Sequence, residues 1–377
     1  MRFAPVIAAV SGLVLLAGCA SDSQPEPESV VSDTRIRAVQ ADIDGLVGAG
    51  VTGMIATVTE NGKTVALTSG VADTATRATI PTDPPQQVRV GSINKSFTSA
   101  IVLQLVAEGR IRLDEPIDTY LPGVVHGQGI DGRAITVRQI LRHQSGLPDF
   151  ATDERVDEYR AALQNRIMTP DEALAIIMSK PADFAPGARF AYSNSNYAVA
   201  GVLIERVTGA RYADELDRRI LKPLALNDTY FPAAGEHDIR GPHPKGYAEI
   251  DGVLTDVTRI EPSVPWAGGA LVSTGADLNR FYAALLSGKV VPAAELQEMR
   301  NDVVADEGLG LDERYGLGTS TARLPCGAES FGHTGGIYGY IVIAGATVEG
   351  RAVTYAFTKE PKALPDLTAL LSHALCP

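Results

Sequence analysis

The residues best able to do chemistry fall in three short clusters. Gly91-Ser92-Ile93-Asn94-Lys95 puts a hydroxyl three residues before an amine. Residues three apart meet on one helix face, so a helical stretch here brings the Lys95 amine to the Ser92 hydroxyl. A serine hydroxyl titrates far above neutral pH and becomes a nucleophile only when a neighbouring base takes its proton. Tyr192-Ser193-Asn194 supplies a titratable phenol and an amide that both donates and accepts. His333-Thr334-Gly335-Gly336 joins two strand-like runs, and its small side chains let a substrate backbone come close. The N–H groups of Gly336 and Ser92 can then hold negative charge developing on a carbonyl oxygen. Taken singly, each cluster has an ordinary structural explanation: an N-capping serine, a polar loop, a hairpin turn. Together and in this order they point to acyl transfer through a serine.

The elements that must position these groups follow from periodicity. Ile36, Val39, Ile43, Leu46 and Val47 recur at helical spacing, with Asp33 as the expected N-cap. Strands are expected over 51–59 and 64–72, joined at Asn61-Gly62, a two-residue hairpin signal. Phe97, Ile101 and Leu105 share one face of a helix that Gly109 closes, which sets Ser92 at its N-terminus, where backbone N–H groups favour negative charge. From about 110 to 260 strand alternation is absent. Short helical patterns at 137–142, 170–178 and 197–207 are separated by Pro and Gly. Strands return at 329–333, 338–347 and 352–358, followed by a helix over 363–375. The expected fold is α/β (α+β). Both chain ends, 33–109 and 262–377, build one antiparallel sheet flanked by helices, and 110–261 forms an inserted helical domain with the site in the cleft between.

Composition narrows the class. The 377 residues are 45% hydrophobic and 21% charged, with net charge -12, which argues against nucleic-acid binding because that needs clustered Lys and Arg. Arg2, an apolar run from Val6 to Leu16, and Leu16-Ala17-Gly18-Cys19 read as an export signal too short to span a membrane. The cysteine after Leu-Ala-Gly resembles a bacterial lipobox, in which Cys19 becomes the lipidated first residue. A cleaved, secreted protein is the alternative. Residues 20–32, rich in Ser, Asp, Glu and Pro, are expected to be a flexible tether. Of three cysteines, Cys326 and Cys376 then remain as an even pair, read as a disulfide in an oxidising compartment, with two buried thiols as the alternative. The histidines at 126, 143, 237, 243 and 373 lack metal-ligand spacing, so no metal or cofactor is expected and these are read as surface or structural residues.

Ser-x-x-Lys, Tyr-x-Asn and His-Thr-Gly, in this order, resemble the three signatures of the penicillin-recognising serine hydrolases, penicillin-binding proteins and class C β-lactamases. The His form of the third box is most similar to the secreted actinobacterial D-alanyl-D-alanine carboxypeptidases, as are the stretches 96–110, 141–147 and 266–274, Pro186-Gly187 and the Cys326/Cys376 pair. The resemblance implies that Ser92 forms an acyl-enzyme, that Lys95 and Tyr192 share the proton transfers, and that Asn194 holds Lys95 and the substrate amide. It implies that His333 stabilises charge near Tyr192, that Thr334, Gly335 and Gly336 border the substrate, and that Trp266 lines the cleft. Which of Lys95 and Tyr192 is the base stays open. Where the carboxypeptidase grips a substrate carboxylate, this chain has Ser320 and Gly336, with Arg323 nearby as a substitute. The expected protein is a monomer, membrane-associated only through its lipid, at the outer face of the cytoplasmic membrane or secreted. Its substrates are cell-wall peptides or small amides, with β-lactams as acylating ligands. An esterase, a class C-type β-lactamase and a non-catalytic penicillin or cell-wall sensor are the alternatives.

Overall fold

A computed structural model describes residues 31–301, 304–305, 313–363 and 365–377. Cys19 and the export signal lie outside the described residues. The centre is an eight-stranded antiparallel sheet. Its strands are β1 (Gly53–Glu60), β2 (Lys63–Gly70), β3 (Val304–Ala305), β4 (Glu313–Tyr315), β5 (Ser320–Arg323), β6 (Glu329–Ile337), β7 (Tyr340–Ala346) and β8 (Ala352–Phe357), and their order across the sheet is β2-β1-β8-β7-β6-β5-β4-β3. The β1–β8 pairing closes the N-terminal hairpin against the C-terminal meander, so both chain ends do share one sheet. The hairpin register pairs Glu60 with Lys63 across Asn61 and Gly62, both at positive φ as a two-residue turn requires.

Alternation along the strands gives the sheet two apolar faces. Met54, Ala56 and Val58 face helices α1 (Asp33–Gly48) and α5 (Leu367–Leu375), which contribute Val39, Ile43, Leu370 and Leu375 to one core. On the other face lie α2 (Asn94–Ala107), α4 (Gly275–Leu286) and, beyond them, α3 (Ser195–Thr208) in a larger core. Helix α2 is buried on every side over residues 94–103, the condition in which a helix needs no polar face. Its polar residues are satisfied internally. Ser96 Oγ donates to Gly318 O at 2.8 Å, Asn94 Nδ2 to the Tyr212 hydroxyl at 2.7 Å and Thr98 Oγ1 to Ala267 O at 2.7 Å. The helix that carries the nucleophile is therefore pinned on three sides.

Several details depart from expectation. Ser32, not Asp33, occupies the N-cap of α1, and Asp33 is its first helical residue. The tether ends earlier than 32, because Val31 is buried in the smaller core and the Ser32 N–H donates to Glu60. The C-terminal helix starts at Leu367, where Asp366 caps it by accepting from Ala369 N. The middle segment does contain strands, a two-residue pair at 126–131 and a hairpin of Tyr247–Ile250 with Val253–Asp256. Both pair locally and stay out of the large sheet, so their signal is short.

Cys326 and Cys376 form a disulfide, closing a separation of 50 residues between the β5–β6 turn and the end of α5. Replacing both by Ser is expected to cost about 4 kcal/mol by the loop-entropy relation. Urea denaturation checks this, and an unchanged midpoint contradicts it.

Candidate active site

The chain leaves the short strand Val88–Arg89, turns through Gly91–Ile93 and enters α2. Gly91 sits at φ 51, and a Cβ there would lie 2.7 Å from Gly336 O and 2.9 Å from Gly336 N. On the facing strand a Cβ at Gly335 would lie 2.0 Å from Val90 O and 3.0 Å from Ser92 N. Only paired glycines allow this approach. It sets the N–H groups of Ser92 and Gly336 beside one another, and Gly336 is exposed with open space above its Cα. The geometry suits an oxyanion between two backbone donors.

Lys95 lies one turn along α2 and is 1% exposed. Its Nζ is 2.9 Å from Ser92 Oγ, 2.9 Å from Asn194 Oδ1 and 2.8 Å from Gly268 O. Burial lowers its pKa to about 7, against the opposite pull of Asp149. Nζ can donate to all three oxygens as an ammonium, and as a neutral amine it keeps the two partners that only accept. A carbonyl only accepts, so Gly268 O takes one N–H. Asn194 presents its oxygen to Lys95 because its Nδ2 donates to Asp149 Oδ2 at 3.1 Å, while its backbone N–H donates to Asp149 Oδ1 at 3.1 Å. With both amine hydrogens so used, the nitrogen lone pair is left for the proton of Ser92. A buried lysine that has lost its charge is a general base at neutral pH.

Tyr192 lies in the loop before α3, 37% exposed, with Lys95 Nζ 5.1 Å from its ring centroid. Its other side stacks on the buried His143, centroids 4.2 Å apart. His143 Nδ1 accepts from Ser193 N at 3.1 Å, and its Nε2 is 3.3 Å from the Tyr315 hydroxyl. That hydroxyl is 3.0 Å from His333 Nε2, and His333 Nδ1 donates to Thr334 O.

The structure thus brings Ser92, Lys95, Tyr192, Asn194, His333, Gly335 and Gly336 together, and it revises three roles. His333 is 5% exposed, and burial together with Lys95 pushes its pKa down to about 3, so at neutral pH it carries no charge to stabilise anything. Thr334 pairs with Ile343, whose side chain belongs to the core on the far face of the sheet, so alternation turns the Thr334 side chain away from Ser92. Trp266 is half-buried, with its ring on Gly201 and towards Tyr212, centroids 5.9 Å apart. Its helix serves the site through the Gly268 carbonyl. Arg323 is no substitute clamp, because it is exposed and opposite Glu329, roughly 23 Å along β6 from Gly336 at strand spacing. Ser320 is buried opposite Gly332, roughly 13 Å from Gly336 on the same reckoning. Asp149, Gly268 and Tyr315 belong to the site and carry no motif. His143 is structural, as read, but it is the wall behind Tyr192.

These features are those of an active-site serine hydrolase scaffold, and the comparisons agree. The chain belongs to the beta-lactamase family, whose model matches residues 39–374. It is 34% identical to a D-stereospecific amidohydrolase from Streptomyces sp., covering 89% of this chain and 98% of that one with a TM-score of 0.81. It is 26% identical to the D-amino acid amidase from Ochrobactrum anthropi SV3, solved with D-phenylalanine, over 90% and 97% of the two chains with a TM-score of 0.79. Among curated relatives it is 24% identical over 284 residues to PbpX, a penicillin-binding protein by name, from Bacillus subtilis (strain 168). That match covers 74% of this chain and 63% of the relative, and the chain spans less than two thirds of the curated relatives it first matches.

Two substitutions test the geometry. Lys95→Met is expected to slow acylation of Ser92 by on the order of 10²–10⁴. Gly335→Ala, which drives a methyl into Val90 O and parts the two N–H donors, is expected to cost on the order of 10²–10³. Rapid-quench mass spectrometry of the acyl-enzyme measures both, and wild-type rates in either variant contradict the assignment.

Proposed function

We propose that this chain hydrolyses small amides of D-amino acids or short D-peptides through an acyl-enzyme at Ser92. The arrangement of Lys95 carries the reading: two obligate acceptors take its hydrogens and leave its lone pair for the Ser92 hydroxyl. Ser92 Oγ attacks the amide carbon as its proton passes to Lys95 Nζ. The oxyanion rests between the N–H groups of Ser92 and Gly336. Collapse breaks the C–N bond, the Lys95 ammonium returns the proton to the leaving nitrogen, with the Tyr192 phenol flanking that path, and water then repeats the sequence to free the acid. Asn194 Nδ2 has two hydrogens, so one can serve Asp149 and the other a further acceptor on the acyl side where a short D-peptide offers one.

An amide is favoured over a peptide ending in a carboxylate because Arg323 and Ser320 stand away from Gly336. The names of the two amidohydrolase neighbours support the same choice. A charged clamp contributes about 1.5–3 kcal/mol, so its loss penalises a D-Ala-D-Ala peptide by roughly 10–100-fold. We also propose that residues 1–19 direct export and that Cys19 is lipidated, which the disulfide supports as a mark of an oxidising compartment.

A panel of D-phenylalanine amide, a D-Ala-D-Ala peptide, p-nitrophenyl acetate and nitrocefin tests the reading. D-phenylalanine amide is expected to have a higher kcat/KM than the D-Ala-D-Ala peptide. Preference for the D-Ala-D-Ala peptide overturns the proposal, and turnover of the ester alone replaces it with an esterase.

A further inference from the structure

Behind Tyr192 lies a buried chain of polar groups that the reaction above does not use. It runs from Ser193 N–H to His143, then to Tyr315, His333 and the Thr334 carbonyl. The backbone groups at its two ends place the imidazole hydrogens. A backbone N–H can only donate, so His143 Nδ1 accepts from Ser193 and its proton sits on Nε2, facing the Tyr315 oxygen. A backbone carbonyl can only accept, so His333 carries its proton on Nδ1, towards Thr334 O. His333 Nε2 is then an acceptor that faces the Tyr315 hydroxyl at 3.0 Å, a hydroxyl that also bonds to Tyr197 and here is assigned as the donor to His333. The two imidazoles are locked in opposite tautomers by two fixed backbone groups, with one phenol between them.

We propose that Tyr315 is a specificity-determining positioning residue: its hydroxyl occupies His333 Nε2, adds to the burial that keeps that ring neutral, and so biases the enzyme towards acyl donors that carry no carboxylate. The inference rests on acylation of Ser92 as proposed above. Protonated His333 would place a second cation next to Lys95, able to draw an anionic substrate into the cleft. The groups facing His333 make that costly. Lys95 comes from α2, Tyr192 and the neutral His143 come from the helical segment, and Tyr315 comes from β4. The first opposes a further positive charge and the others offer no negative one. Tyr315 is itself fully buried, and burial raises its pKa, so it stays a hydroxyl donor. Its hydroxyl is thus a contact of the His333 ring that a single substitution removes.

Imidazole 15N spectra of the intact protein test the tautomers. His333 is expected as the Nδ1–H form and His143 as the Nε2–H form, both unchanged between about pH 5 and 8. A His333 that is Nε2–H, or that titrates in this window, overturns the proposal. In Tyr315→Phe the freed Nε2 is expected to shift its 15N resonance and to take up a proton at higher pH than in the wild type, and an unchanged resonance overturns the role of Tyr315; His333→Lys is expected to raise penicillin acylation relative to D-phenylalanine amide by about tenfold. An unchanged ratio in His333→Lys overturns the specificity role. The spectra decide the tautomers by themselves, so a wild-type protein that neither compound acylates overturns the reaction and not the network.

Discussion

A lysine amine buried without a paired carboxylate is the constraint on which the site depends. Lys95 is 1% exposed, and its depressed pKa, near 7 in place of 10.5, corresponds to about 5 kcal/mol of bias against the charged form. The surroundings offer it acceptors and a hydroxyl, not a direct ion pair. Asp149 stands one residue further out, spending both its oxygens on Asn194 and thereby fixing which way that amide faces. The base is thus made by exclusion of water, and its direction is set by two acceptors that cannot turn.

That environment exists because α2 runs through the molecule between the sheet and the helical segment. A helix buried on every side cannot tolerate unsatisfied polar groups, and Asn94, Ser96, Thr98 and Ser99 each bond to a neighbouring element. The same bonds hold Ser92 against β6. The close approach of Gly91 and Gly335 then turns two ordinary backbone N–H groups into a paired donor site. Nucleophile, base and oxyanion donors arise from one helix start and one strand edge.

The sequence revealed what local periodicity encodes. Ser92 and Lys95 were legible because helical spacing alone brings residues three apart together, and the β1–β2 hairpin because Asn61-Gly62 admits few other turns. Asn194 and the Gly335-Gly336 edge entered through a three-motif resemblance. Tyr315 was not legible, since it reaches His333 only through strand pairing across β4, β5 and β6. Gly268 contributes a carbonyl, which leaves no trace in residue type. The charge read for His333 was misassigned because side-chain chemistry was read without knowing burial, and burial removes that charge.

The central claim, that Lys95 titrates near physiological pH so that much of it is a neutral amine there, is tested most directly by titrating its side chain in protein labelled with 13C at lysine Cε. The account predicts that one lysine resonance, absent from Lys95→Met, titrates near pH 7 while the other lysines remain charged well above it. A Lys95 signal that stays in its charged position until about pH 10 contradicts it.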